Sequence, residues 1–381
     1  MTGIPQGVIA PGIRRAAHLR VVGLAVGIVL AAAGAAPARA AEDPAPDYGP
    51  GYAEIVAAAT REGTVSVYST TDAAEAAEFL AGFRARYPAI AVAYADLNSN
   101  ELHDRFLSEA DAGAGTGDVL WSSAMDLQIK LVNDGYAQSY ASPEAGHLPA
   151  WAVWRNEAYG ITAEPIVMAY NRRLLDEAEV PRTHADLTRL LAARQGELKG
   201  KVATYDPERS GVGFLFITRD VEFTRTSWDL VRAMGQVGLK LYTSTGTMLD
   251  RIAAGEHLIA YNIIGSYARE RAKADPSLGL VLPADYTIVM SRIAFIPKGA
   301  RHPNAARLFL DYLLSRDGQR RLAAHSLGPV RDDLGPEAAG GEPALDARAR
   351  PIRVGPELLT YLDQAKRARF LRDWQRALQG R

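Results

Sequence analysis

Short β-branched runs alternate along this chain with longer stretches whose apolar residues recur every three or four positions, and that alternation predicts strands feeding helices. Residues 52–61 carry helical spacing and stop at Gly63, and Thr64-Val65-Ser66-Val67-Tyr68 then predicts a strand. The loop 69–72 leads into an alanine- and acid-rich helix over 73–86, closed by Tyr87-Pro88. A strand over 90–94, a loop over 96–100 and a helix over 101–110 follow. Next come a strand over 118–121, a Ser122-Ser123 loop and a helix over 125–133 ending at Gly135. Three successive strand–loop–helix units predict parallel strands with helical crossovers, an α/β doubly wound plan.

The stretch 159–171 is long, extended and interrupted by Pro165, as a strand passing between two lobes would be. A second set of units follows: a helix over 185–195, a strand over 202–205, a loop over 206–213, and helices over 214–220 or beyond and 226–237. A helix over 248–254, a strand over 258–263 and a helix over 266–274 complete it. The extended segment 287–297 reads as the return strand, with helices over 303–315 and 317–324 behind it. Residues 335–350 are rich in Gly and Pro and predict a surface linker before an amphipathic final helix over 356–378. At 381 residues the chain exceeds what one core usually covers, so two lobes are expected. Residues 63–160 with 292–331 are expected to form the first lobe, 161–291 the second, 41–62 a leader and first helix, and 332–381 a linker and a helix packed on the lobes.

Residues 1–40 differ from the rest: Arg14, Arg15 and Arg20 precede an apolar run over 21–33, and Ala38-Arg39-Ala40 offers a small-x-small cleavage site. That order predicts a cleavable signal peptide and a periplasmic protein, because the run is too short for the roughly 20 apolar residues of a membrane span. The Arg14-Arg15 pair lacks the flanking residues of twin-arginine export, so general secretion is expected. Removing this segment takes four Arg and no acid, leaving 39 basic against 44 acidic residues, a formal charge of −5. Such a balance speaks against a nucleic-acid partner. The chain has no Cys, which excludes disulfides and thiolate metal sites.

Strand-end loops rich in Ser and Thr place hydroxyls and backbone N–H groups at the positive ends of helix dipoles, where neutral residues hold anions. Ser69, Thr70, Thr71, Ser122, Ser123, Ser210 and Gly211 fit that role, and each Ser or Thr also fits the simpler one of capping its helix. Asp72, Asp206 and Asp285 lie at strand ends, either to accept from solute hydroxyls or to shape the loops. Arg292 either reaches an anion across a cleft or forms a surface salt bridge. Tyr261, Asn262, Tyr267 and Tyr286 either line a pocket or pack in the core. No nucleophile elbow, phosphate-binding loop, His-Glu-x-x-His or dinucleotide fingerprint occurs, so no catalytic residue, metal or cofactor is proposed; His103, His257 and His302 read as solvated.

The run from Thr64 through Phe83-Arg84-Ala85-Arg86-Tyr87-Pro88 to Gly117-Asp118-Val119-Leu120-Trp121 resembles the extracellular solute-binding proteins of ABC importers, in their ferric-iron-binding branch. Ile296-Pro297-Lys298-Gly299-Ala300-Arg301-His302-Pro303 and Phe309-Leu310-Asp311-Tyr312-Leu313-Leu314-Ser315 carry the same resemblance. It implies a two-lobed periplasmic-binding-protein fold of type II, each lobe a mixed, mostly parallel sheet flanked by helices, with a hinge of two crossover segments and a cleft that closes on its solute. In ferric binders an adjacent Tyr pair follows the strand corresponding to 258–263; in this chain Ile263-Ile264 stand there, without donor atoms. The run Asp96-Leu97-Asn98-Ser99-Asn100 with Trp121-Ser122-Ser123-Ala124-Met125 looks more like the phosphoglycerate-transport regulatory proteins of that branch. The resemblance therefore implies a monomer that binds a small anionic organic solute, a phosphorylated metabolite, phosphonate or carboxylate, for an ABC permease or a membrane sensor histidine kinase. A ferric carrier and a secreted hydrolase on the same fold are the alternatives.

Overall fold

The computed structural model describes residues 48–335, 346–360 and 362–380; the expected signal peptide and most of the expected leader and linker lie outside them. Helix α1 (Pro50–Glu62) has its Pro at the first turn and is closed by Gly63 in the left-handed region at φ 69°. Three strand–helix units follow: β1 (Thr64–Ser69) with α2 (Ala77–Arg86), β2 (Ala91–Asp96) with α3 (Ser99–Asp111), and β3 (Val119–Ser122) with α4 (Met125–Asn133). β1 pairs in parallel with β2 and β3, as strands joined by helical crossovers must. β4 (Val153–Trp154) and β5 (Ala158–Gly160) form a hairpin, after which β6 (Glu164–Asn171) starts a different sheet.

That second region holds α5 (His184–Ala193), β7 (Val202–Tyr205), α6 (Gly211–Phe223), α7 (Ser227–Gln236), β8 (Lys240–Tyr242), α8 (Thr245–Ala253), β9 (Ile259–Ile264), α9 (Gly265–Ala274) and β10 (Leu278–Val281). β11 (Thr287–Met290) belongs to the second sheet and β12 (Ile293–Phe295) to the first, so the chain returns between Met290 and Ile293. α10 (Pro303–Leu314) and α11 (Arg316–Ala324) pack behind the first sheet, β13 (Ala349–Pro351) edges the second, and α12 (Gln364–Leu378) lies on α7. Gly235 of α7 makes that approach possible, since a Cβ there would sit 2.1 Å from the Leu378 carbonyl oxygen.

The first sheet runs β2-β1-β3-β12-β5-β4 and the second β13-β11-β6-β9-β7-β8, with β10 also on β6. Parallel ladders join the strand–helix units, and the strands that carry the chain between sheets pair antiparallel. Three expectations change. Residues 73–76 are turn, not helix, because Glu75 and Ala76 N–H both bond the Asp72 carbonyl before α2 begins. The expected linker contains a strand, β13, and the expected helix over 356–378 is a short 3₁₀ turn (Pro356–Leu359) followed by a separate α12, which Asp363 caps by accepting from Lys366 N–H at 2.9 Å.

Candidate functional site

The carboxyl ends of β1, β2 and β3 in one sheet and of β7, β8 and β9 in the other open onto one cavity of about 740 Å³. Thr70, Asp72, Asp96, Ser123 and Ala124 line it from the first side, and Arg209, Ser210, Gly211, Thr245 and Tyr267 from the second. Ligands of α/β sheets sit at such strand ends because loops and helix N-termini meet there.

Capping decides which of these N-termini still present free backbone donors. Asn98 caps α3 in a reciprocal box with Glu101, Ser210 accepts from Gly213 N–H to cap α6, and Ser244 caps α8 through Thr247 N–H. Neither α4, entered at Ala124, nor α9, entered at Ile264, has a side-chain cap, and both entry residues line the cavity, one on each side. Two helix N-termini without a side-chain cap thus bring their positive dipole ends to opposing walls. Arg209 is the sole Lys or Arg among the described lining residues.

Of the residues expected from sequence, Thr70, Asp72, Ser123, Ser210, Gly211 and Tyr267 line the cavity. Thr70 and Ser123 are tied across the loop tips, the Ser123 N–H donating to Thr70 Oγ1 at 2.9 Å. Ser69, Thr71 and Ser122 are buried one layer behind: Ser69 Oγ accepts from Thr71 N–H at 3.0 Å and Ser122 Oγ from Ala124 N–H at 3.1 Å. Their hydroxyls hold the loops that line the cavity. Asp206 shapes its own turn, taking Glu208 N–H on its carboxylate and Ser210 N–H on its carbonyl.

Arg292 is neither exposed nor a surface ion pair. It is fully buried, its Nε donating to Glu164 at 2.9 Å and its Nη1 to Thr71 Oγ1 at 3.0 Å, with the Tyr267 ring 5.4 Å away. Asn262, Asp285 and Tyr286 are not among the cavity's lining residues. Tyr261, Asn262 and Tyr286 all donate to the buried Asp220 carboxylate, at 2.8, 2.7 and 2.8 Å, and Asp285 accepts from His184. Asn262 stands at φ 59° where the β6–β9 ladder shifts register, so its side chain secures a bulge that sets the direction of Ile264 and Tyr267. His257 and His302 are not solvated as expected: His257 is buried against Tyr242, and His302 Nδ1 lies 2.9 Å from Asp118.

Sequence reading missed the 243–246 stretch, since β8 before it is three residues long and largely exposed; Ser244-Thr-Gly-Thr, a capping pattern, was the available signal. It also missed Glu75, at the turn beyond Asp72. Burial pushes its carboxyl up to about 7, Arg292 pulling it down and Asp72 and Glu164 pushing it further up. A carboxyl so placed is neutral below that value and adds negative charge beside Asp72 above it. The stabilisation that an anionic solute confers should therefore shrink as pH rises from ~6 to ~8, and Glu75→Gln should flatten the dependence; an equal slope in the variant would rule Glu75 out.

A profile described as bacterial extracellular solute-binding protein matches residues 56–344. The crystal structure of the substrate binding protein of the ABC transporter from Agrobacterium tumefaciens is 42% identical, with a TM-score of 0.76 over 83% of this chain and 94% of that one. Two more distant structures share the fold: iron-bound HitA from Pseudomonas aeruginosa, 20% identical with a TM-score of 0.65 over 82% and 99% of the two chains, and AfuA from Actinobacillus pleuropneumoniae with fructose-6-phosphate bound, 18% identical with a TM-score of 0.62 over 84% and 99%. An uncharacterized protein of Haemophilus influenzae is 26% identical over 228 residues, 55% of this chain; the match spans 62% of that relative's length.

Proposed function

This chain belongs to the bacterial extracellular solute-binding proteins, and we propose that it captures a small anionic organic solute, a phosphorylated metabolite, phosphonate or carboxylate, in the cavity between its two sheets. It then delivers the solute to an ABC permease or to a sensor kinase at the inner membrane, as a monomeric periplasmic protein exported by residues 1–40. In this reading residues 63–160 with 292–331 make one lobe and 161–291 the other, closing on the solute about the segments near 161–163 and 291–292.

The observation that carries it is the pair of uncapped helix N-termini, α4 and α9, on opposite walls and flanked by the hydroxyls of Thr70, Ser123 and Thr245. An anion between them accepts backbone N–H bonds from both sides, which favours the closed arrangement. A ferric carrier is less well supported: the Tyr261 hydroxyl is committed to Asp220, and Ile264 occupies the cavity wall where a phenolate would be needed.

A thermal-shift screen of the purified protein against phosphorylated C3 to C6 metabolites, phosphonates, carboxylates and ferric citrate tests this. A solute at a hundred times its dissociation constant should add about 2.7 kcal/mol of stability. A shift with ferric citrate alone would replace this reading with the ferric one.

A further inference from the structure

After the stretch that the family profile matches, the chain passes twice more between the two sides of the cavity. β13 pairs with β11 in the second sheet, and Ile352 N–H donates to the Val289 carbonyl at 2.8 Å. Two residues on, Val354 N–H donates at 2.8 Å to the carbonyl of Trp151, beside β4 in the first sheet. The turn Pro356–Leu359 then packs on α4 with Leu358 buried, while Arg219 of α6 donates to the Glu357 carbonyl at 3.3 Å. α12 returns to the second side, where the Phe370 ring lies 5.4 Å from those of Phe214 and Trp228.

Three polar contacts of α12 fall on one cavity loop. Arg367 Nη2 donates to the Pro207 and Glu208 carbonyls at 3.3 and 3.5 Å, its guanidinium 4.1 Å above the Phe214 ring, and Gln375 donates to the Glu208 carboxylate at 2.5 Å. The next residues, Arg209, Ser210 and Gly211, line the cavity. On the other side, the helix on which Leu358 rests supplies the uncapped N-terminus at Ala124.

We propose that residues 352–360 and 362–378 form the two arms of a strap whose Leu358 and Arg367 are positioning residues for capture: Leu358 holds α4, Arg367 holds the 206–211 loop, and together they limit how far the walls separate. The inference rests on the reading of the cavity as the capture site. Rotation of one side about the hinge changes the distance between α4 and this loop, and a segment anchored on both resists it. The strap therefore sets the opening of the empty protein and the escape rate of a bound solute.

The absence of Cys allows a direct test on the full chain. Glu54→Cys on α1 and Arg189→Cys on α5, both exposed, take donor and acceptor dyes, and energy transfer reports the separation of the two sides without added solute. Arg367→Ala, and separately Leu358→Ala, should lower the mean transfer efficiency and broaden its distribution. A folded Arg367→Ala protein with the parental distribution overturns the proposal. If Arg367→Ala fails to fold, Gln375→Ala, which releases α12 from Glu208 of the same loop, takes its place, and a parental distribution there is equally decisive. Because no solute is present, this result stands apart from the thermal-shift screen: an empty screen removes the capture reading, and unchanged transfer removes the strap.

Discussion

Replacing Arg292 with Ala should lower the free energy of unfolding by about 3–5 kcal/mol, because it strands a carboxylate in the interior. Glu164 is fully buried at the start of β6, bonded by Arg292, by Thr162 Oγ1 at 2.7 Å and by Ser266 Oγ at 2.5 Å. Burial alone would raise its carboxyl; Arg292 and the hydroxyl donors outweigh that and hold it below the ordinary value. The pair thus contributes stability that is present above the unfolded glutamate value of about 4.3 and is lost as pH falls through the lower, folded value.

In the Ala variant the carboxyl loses its main counter-charge, and the cost should diminish on acidification. Urea titration followed by circular dichroism measures it, and a loss below about 1 kcal/mol would mean that the pair behaves as a surface ion pair does. Arg292→Met combined with Glu164→Leu should recover most of the loss, since apolar replacement of both partners removes the stranded charge. Arg292 also holds Thr71 on the loop that carries Thr70 and Asp72, so the Ala variant should bind solute more weakly as well.

How far the sequence shows these features depends on their range. α4 and β7 fall where periodicity places them, 125–133 and 202–205, since local pattern and flanking glycines bound them. The strands β8, β10 and β13 were not legible: three or four residues carry too little alternation, and their pairing partners are distant in the chain. Thr70, Ser123 and Ser210 were legible as cavity-lining residues because a strand-end loop before a helix has one direction to face. The placing of Asn262 was not, because one left-handed residue at a bulge turns its side chain to Asp220. Arg292 was found without its partner, Glu164, which lies far away in the chain and is marked by no motif.

The second large effect is expected at Gly211. The residue lines the cavity at the first position of α6, and a Cβ built on it meets no atom within 4 Å, so a side chain there extends into open space. Gly213, two positions on, is the opposite case: its Cβ would lie 2.3 Å from Tyr205 Cβ, where the helix presses on β7. Gly211→Phe should therefore leave the empty protein within about 0.5 kcal/mol of the parent, as substitutions without new contacts do. A phenyl ring there adds apolar bulk to the wall of the cavity that Gly211 lines, and an anion captured in that cavity loses room. The thermal shift produced by whichever solute the screen identifies should vanish, a loss of about 2.7 kcal/mol at a hundred times the parental dissociation constant. A full shift retained by Gly211→Phe would show that the solute is held elsewhere, and α4, α9 and their hydroxyl neighbours would then have no part in capture.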